Sequence, residues 1–220
     1  MPGQSLIEIS GLVNRFDSNI VHDHLDLNID RGEVLAIIGG SGSGKTTLLR
    51  SILMLHQPNA GKIKVFDVDV LNCSPRQAEK VQRRWGVAFQ NNALFSSLTV
   101  LENIMFPLKE FTDLSFELRR ELALLKILLV GLKAEVSELY PSELSGGMLK
   151  RAALARAMAL DPEVLFLDEP TAGLDPNSAG ALDELIIHMR DDLGLTIVVV
   201  THDLDTLWRV PDRVAFLGEG

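Results

Sequence analysis

The chain has 220 residues, a formal net charge of −9, 46% hydrophobic residues and 23% charged residues. That is the make-up of a globular protein long enough to bury roughly 70% of the surface its unfolded chain exposes. The acidic balance argues against non-specific nucleic-acid binding, which rests on Lys and Arg neutralising phosphates, but leaves room for a local anion site built from backbone amides.

The first ten residues, MPGQSLIEIS, lack the basic segment and apolar core of a signal peptide. Leu6, Ile7 and Ile9, then Leu25, Leu27 and Ile29, read as short strands. His22-Asp23-His24 has a spacing that invites a metal, but no further ligands accompany it, so it reads as a solvated turn. Residues 34–38 form a continuous apolar run of strand length, as expected of a strand buried on both faces. A glycine-rich turn follows, then residues 46–55, whose Leu48, Leu49, Ile52, Leu53 and Leu55 suit a buried helix. His56 and His188 show no partner pattern. Cys73, the single cysteine, excludes an intramolecular disulfide, fits a reducing compartment and reads as a thiol without chemistry.

Residues 85–89 read as a strand. The character then changes over 91–144, where helices at 102–105 and 115–130, separated by Pro107 and a turn at 111–114, suggest an inserted helical lobe. Residues 152–160 form an Ala-rich helix ended by Asp161-Pro162. Beyond it, 164–167 is a buried strand, 178–193 an amphipathic helix, and 197–200 and 213–217 further strands. Strands alternating with helices imply a largely parallel α/β sheet. The longest apolar runs, 122–130 and 195–200, fall far short of the ~20 residues that cross a bilayer, so the chain is expected to be cytosolic and to reach a membrane only through a partner. It stops at Gly220 just after a strand, which leaves room for a C-terminal extension.

The chemistry begins at Gly39-Gly40-Ser41-Gly42-Ser43-Gly44-Lys45-Thr46, which fits G-x-x-x-x-G-K-[ST]. The glycines let successive backbone N–H groups point inward at phosphate oxygens, Lys45 reaches the β- and γ-phosphates, and the Thr46 hydroxyl ligates Mg²⁺. The helix that follows points its positive end at the same anion. In Val164-Leu165-Phe166-Leu167-Asp168-Glu169, four apolar residues carry a carboxylate pair to the end of a buried strand, where open α/β sheets bind ligands. Asp168 suits Mg²⁺ and Glu169 suits the attacking water. An acidic pair at a strand end also serves as a helix N-cap. The two motifs together describe a P-loop NTPase.

Leu144-Ser145-Gly146-Gly147-Met148 opens a helix and closely resembles the LSGGQ signature of ABC ATPases. The resemblance runs from Leu6 to Leu217 with the motifs in family order. It implies the ABC ATPase fold: a P-loop NTPase core with a RecA-like parallel sheet, an N-terminal antiparallel β subdomain, and an inserted helical lobe. The single domain divides into 1–90 and 145–220 for the nucleotide-binding core and 91–144 for the lobe. It further implies that Gly39, Ser41, Gly42, Ser43, Gly44 and Thr47 line the phosphates of ATP beside Lys45 and Thr46. Ser145, Gly146 and Gly147 would contact the γ-phosphate held by a second copy, and Asp175, in Ala172-Gly173-Leu174-Asp175, would cross the dimer interface; Asp175-Pro176 also suits a helix start. Gln90, 45 residues after Lys45, resembles the glutamine that senses Mg²⁺ and links site to lobe. His202, 33 residues past Glu169, resembles the switch histidine on the γ-phosphate, and Phe16, 29 residues before Lys45, the aromatic that stacks on adenine. The implied catalytic set is Glu169, His202, Lys45 and Gln90, with Thr46, Gln90 and Asp168 at the metal.

Met148 in place of the signature glutamine, the run Lys150-Arg151-Ala152-Ala153-Leu154-Ala155-Arg156-Ala157, Gly11-Leu12-Val13-Asn14-Arg15-Phe16 and Ile38-Gly39-Gly40-Ser41-Gly42-Ser43-Gly44 resemble the ATPases of bacterial phospholipid-trafficking systems. Those systems carry MCE-domain partners. This finer resemblance implies a membrane permease, an MCE substrate-binding protein and a STAS-domain regulator, at the cytoplasmic face of a bacterial inner membrane. A permease helix would dock near Phe95, Leu98, Val100, Met105 and Phe106, residues equally well explained as lobe core. The motifs fit an importer of amino acids, ions or other small solutes as well. ABC ATPases outside transport usually carry tandem cassettes or coiled-coil insertions, which this chain lacks. Lys45, Asp168, Glu169 and His202 are all present, which argues against a cassette without turnover.

Overall fold

The computed structural model describes residues 5–218. The expectations for residues 1–4, and for the chain's end at 219–220, lie outside the described residues. Strands β1 (Ser5–Phe16) and β2 (Asn19–Asp30) pair antiparallel over twelve residues each. They are longer than the short strands expected, because the pairing continues through polar residues as far as Phe16↔Asn19. His22 accordingly sits within β2, paired with Asn14 and only 3% exposed. The solvated turn expected there is corrected: Asp23 and His24 are exposed, His24 at φ +53° where the register with β1 shifts, but His22 lies in the paired strand and faces inward.

Next come β3 (Val34–Gly39), α1 (Lys45–Ile52), β4 (Ala60–Val65), β5 (Val68–Asp69), α2 (Pro75–Gln82) and β6 (Trp85–Ala88). Helices α3 (Val100–Phe111), α4 (Phe116–Leu129) and α5 (Gly146–Ala157) follow, with two short 3₁₀ turns between α4 and α5. Strand β7 (Val164–Asp168), α6 (Pro176–Leu193), β8 (Thr196–Val200), α7 (Leu204–Arg209) and β9 (Arg213–Leu217) complete the described residues. Sequence reading left β4, β5, α2 and α7 unassigned.

Two sheets result. One is antiparallel, in the order β2-β1-β4-β5, and the other is parallel, in the order β6-β7-β8-β3-β9. The inner strands β3, β7 and β8 are apolar at every central position because both their faces are covered, whereas edge strand β9 leaves Val214 and Phe216 exposed. Their alternation sorts the side chains into two cores. Leu35, Ile37, Val164, Phe166, Val198 and Val200 pack with α1 and the antiparallel sheet. Val34, Leu165, Leu167, Ile197 and Val199 pack with residues of α3, α4, α5 and α6.

Pro107 does not separate two helices, as the sequence suggested, but lies inside α3. Proline there forfeits the hydrogen bond to the Asn103 carbonyl. Burial of Val100, Leu101, Ile104, Met105 and Leu108 on both sides of it holds the helix together. The same burial removes Val100 and Met105 from any docking surface; of the residues expected there, Phe95 and Phe106 are exposed and meet at a tilt, centroids 4.9 Å apart and planes 53° from parallel. Among the described residues, no helix is long and apolar enough to cross a membrane.

Candidate functional site

The parallel sheet sets the site. At the C-terminal end of β3 the chain turns through 40–44 into α1; β6 ends before Gln90; β7 ends on Asp168; and β8 ends before Thr201-His202. These four strands share one sheet and one direction, so Lys45, Gln90, the carboxylate pair and His202 come to the same edge. This is where open parallel sheets hold ligands.

The turn is shaped by glycine at two points above all. Gly39, at φ +157°, would carry a Cβ 2.4 Å from Ser43 Oγ and 2.5 Å from the Leu217 carbonyl. Gly44, at φ +93°, caps α1, and a Cβ there would lie 2.4 Å from His22 Nε2. A Cβ on Gly40 or Gly42 would meet nothing within 4 Å. The turn lines a cleft of about 650 Å³ with Asn19, Ile20, Val21, Phe216 and Leu217. Lys45 Nζ folds back onto the carbonyls of Gly39 (2.8 Å) and Gly40 (2.9 Å). Ser43 Oγ is buried without a hydrogen-bond partner. Thr46 is exposed, and Thr47 enters through its carbonyl, which accepts from Ser51 Oγ.

Glu169 is almost buried and adopts φ +50°, a conformation unfavourable to a residue with a Cβ. His202 Nδ1 donates to its Oε1 at 2.7 Å, and Thr201 Oγ1 to its Oε2 at 3.4 Å. Its amide donates to the Val200 carbonyl. The His202 side chain is 75% exposed, so it bridges the buried carboxylate to the open side of the site. Burial, and then the Glu169 carboxylate beside it, push Asp168 above the usual carboxylate range, while Arg50, Lys150 and Lys45 pull the other way. A desolvated carboxylate beside a hydroxyl-bearing loop is an oxygen donor set that suits a hard divalent cation. The orphaned Ser43 hydroxyl and the glycine-bounded turn suit the oxygens of a polyphosphate. The residues present therefore fit Mg²⁺ and ATP.

Gln90 is exposed and enters through its carbonyl, which accepts from Lys150 Nζ at 2.8 Å. Lys150 also donates to the Glu169 carbonyl at 3.1 Å, and burial holds its pKa below the ordinary lysine value. Six residues along α5, Arg156 donates to the carbonyls of Ala93 (2.5 Å) and Asn92 (3.2 Å). Those two residues have φ +51° and +59°. Two cations from one helix thus grip the loop after β6 and the backbone of Glu169. Both residues belong to the run that follows the signature, but nothing in a linear pattern says which carbonyls they reach.

The signature stands apart from the phosphate loop within one chain. Ser145 caps α5, accepting from the Met148 amide at 3.3 Å. A Cβ on Gly146 would meet Leu174 at 3.5 Å, and one on Gly147 would meet Ser178 at 3.6 Å. The signature therefore faces the start of α6 and the residues just before it, and does not line the phosphate-loop cleft. Asp175 caps α6, accepting from the amides of Asn177 and Ser178 at 3.1 Å each, and the bond to Ser178 foremost lowers its pKa. Met148 packs against the core beneath α5. Phe16 is 45% exposed and pairs across the hairpin with Asn19, a residue of the phosphate-loop cleft.

Comparison with known proteins agrees with this arrangement. The family described as ABC transporter matches residues 22–172. The chain is 41% identical over 216 residues to the intermembrane phospholipid transport system ATP-binding protein MlaF of Haemophilus influenzae, covering 98% of this chain and 81% of that one. It is 38% identical over 217 residues to the probable ribonucleotide transport ATP-binding protein mkl of Mycobacterium leprae, covering 99% of this chain and 62% of the relative's length. The dimeric structure of MJ0796, a bacterial ABC transporter cassette, superposes with a TM-score of 0.88 at 31% identity, covering 97% of this chain and 95% of that one. The chain belongs to the ABC transporter family and is one of its ATP-hydrolysing cassettes.

Proposed function

We propose that two copies of the chain close around two ATP molecules, each held by the phosphate loop of one copy and the signature of the other, and that the cargo so driven is phospholipid. The observation that carries the first part is the division of the site. Phosphate loop, carboxylates and switch histidine share one sheet edge, whereas Gly146 and Gly147 of the same chain face the start of α6. The dimeric state of the MJ0796 cassette supports the same reading.

In this reading the inward amides of the loop and the Ser43 hydroxyl receive phosphate oxygens. Lys45 exchanges the carbonyls of Gly39 and Gly40 for the β- and γ-phosphates. Phe16 offers its exposed face to adenine. Mg²⁺, when bound, would be held by Thr46 and Asp168, with Gln90 close by, and supplies charge neutralisation across the phosphates. Glu169 orients and polarises the attacking water, and His202 holds its carboxylate and reaches the γ-phosphate. The Ser145 hydroxyl and the amides at the start of α5 close the partner copy's site. Binding energy for ATP in the closed state does the work on the permease.

A permease sits naturally in the groove of about 360 Å³ between the α1 end and α3, lined by Leu53, Leu55, Trp85, Phe89, Pro107 and Phe111. Phe89 immediately precedes Gln90, so a helix seated there presses on the site. In this reading the chain works at the cytoplasmic face of an inner membrane, as one domain with residues 91–144 as the permease-facing lobe.

Phospholipid as cargo is supported by the likeness to MlaF and by Met148 in the signature. MCE-domain and STAS-domain partners belong to the same proposal and rest on the sequence resemblance alone. Transport of a small solute is favoured by mkl, whose name gives ribonucleotide transport. Co-expression with the flanking genes, purification of the complex and lipid extraction distinguish the two. Phospholipid retained in the complex, with ATPase activity stimulated by it, is expected. Stimulation by an amino acid or nucleotide and not by lipid would refute the cargo while leaving the ATP site untouched.

A further inference from the structure

Beneath the phosphate loop lies a polar cluster to which the mechanism above gives no task. Asn14 on β1, His22 on β2 and Ser51 on α1 are all buried, and His56 is half-buried just after α1. Ser51 Oγ donates to the Thr47 carbonyl at 2.9 Å. Its one hydrogen is thereby used, so it accepts from the Asn14 amide at 3.3 Å. That orientation turns Asn14 Nδ2 toward His22 Nδ1, 2.9 Å away, and leaves Asn14 Oδ1 to accept from His56 Nε2 at 3.1 Å. His22 Nδ1 is therefore an acceptor, and the ring proton sits on Nε2. That atom is buried, has no hydrogen-bond partner, and lies against Gly44. At the far end the His56 ring stacks on Phe16, centroids 5.1 Å apart and planes 25° from parallel. One hydroxyl hydrogen thus fixes an amide and the tautomers of two histidines.

Three buried polar side chains are costly to desolvate, and aliphatic residues would fill the same space without that cost. What the polar arrangement adds is direction. It joins the antiparallel sheet to α1, with one arm ending under the phosphate loop and the other behind the ring of Phe16. We propose that Asn14, His22, Ser51 and His56 form a positioning cluster that holds the phosphate loop and the stacking face of Phe16 in a fixed relation, so that the two ends of ATP are gripped together. None of the four touches the reacting atoms. The Phe16 arm rests on the reading of Phe16 as the adenine platform; the loop arm, His22 against Gly44, rests on the phosphate-loop reading alone.

The test uses the purified chain and two probes: ATP, which engages both arms, and inorganic tripolyphosphate, which engages the loop alone. His56→Leu is expected to raise KM for ATP about three- to tenfold, keep kcat within about twofold, and leave tripolyphosphate inhibition unchanged. Ser51→Ala is expected to weaken ATP and tripolyphosphate alike, by about fivefold, because the Asn14 amide loses its acceptor and the His22 ring its anchor. Asn14→Leu removes the hub and is expected to do both; where it fails to fold, Ser51→Ala carries the same arm with a smaller change. Phe16→Ala separates the two readings. If it leaves KM for ATP unchanged, the adenine platform and the Phe16 arm both fall, and tripolyphosphate inhibition of Ser51→Ala still decides the loop arm. If His56→Leu and Ser51→Ala lower the melting temperature but shift neither affinity, the cluster only packs the fold and the proposal is overturned.

Discussion

Lys150→Met removes an ammonium group that donates to the Gln90 carbonyl at 2.8 Å and the Glu169 carbonyl at 3.1 Å, while keeping most of its aliphatic stem. Each charge-assisted bond is worth about 1.5–3 kcal/mol where the geometry is good. Desolvation opposes this, since burial is the largest influence on the Lys150 pKa and lowers it, with the Asp168 and Glu169 charges pulling back. The net loss from removing the group is about 1–3 kcal/mol. It falls on the site and not on the core. Glu169 is held at φ +50° by three backbone ties: its amide to the Val200 carbonyl, and its carbonyl to Lys150 and, at 3.3 Å, to the Ala172 amide. With one tie gone the carboxylate loses its aim. The expected result is a fall in kcat of about tenfold to a hundredfold. KM for ATP should move less than about threefold, because the loop at 39–46 is untouched. Phosphate release under steady state measures both constants, and urea denaturation run beside it separates a site effect from global unfolding. A variant with kcat within twofold of the wild type, and normal stability, would refute the idea that α5 sets Glu169.

Two further predictions test the fold around the site. Gly86→Ala places a Cβ 2.2 Å from the Ala157 carbonyl, a backbone atom at the end of α5. It should part β6 from α5 and lower the unfolding free energy by about 1–3 kcal/mol, read from urea denaturation. His22 supplies a pH dependence. Burial lowers its pKa below the unfolded value of 6.5, so on acidification the unfolded chain takes up its proton first. The contribution of His22 is therefore fully present above pH 6.5 and is lost as pH falls from there toward the folded-state pKa. Melting temperatures from pH 8 to 5 should show a decline below pH 6.5 that is absent from His22→Gln; parallel curves for the two proteins would count against it.

The elements most legible in the sequence were those whose residues answer to one local requirement. The run before the phosphate loop is apolar at successive positions because β3 is buried on both faces, and the glycines that follow are required by positive φ at Gly42 and Gly44. Arg213–Leu217 was read to the residue because its neighbours Asp212 and Gly218 bound it. Where tertiary packing overrides a local rule, the sequence misled. Pro107 is a breaker by rule, yet buried residues before and after it hold α3 intact. His22-Asp23-His24 looks solvated, and Asp23 and His24 are, yet the pairing of β2 with β1 turns His22 inward. Helix α2 carried a readable signal, the Ser74–Gln77 capping box with Pro75 at its first position, that went unused. The grips of Lys150 and Arg156 on carbonyls some 60 residues away, and the Asn14 cluster drawn from three elements, have no linear signature.

The most direct test of the ATP sandwich is the oligomeric state of Glu169→Gln with Mg²⁺ and ATP, followed by light scattering alongside phosphate release. The expected outcome is an ATP-dependent dimer that persists because turnover has fallen by about 10²–10⁴, the contribution of a positioned general base. A variant that turns over ATP at the wild-type rate, or that binds ATP and remains monomeric at every concentration, would contradict the shared site and the role of Glu169 within it.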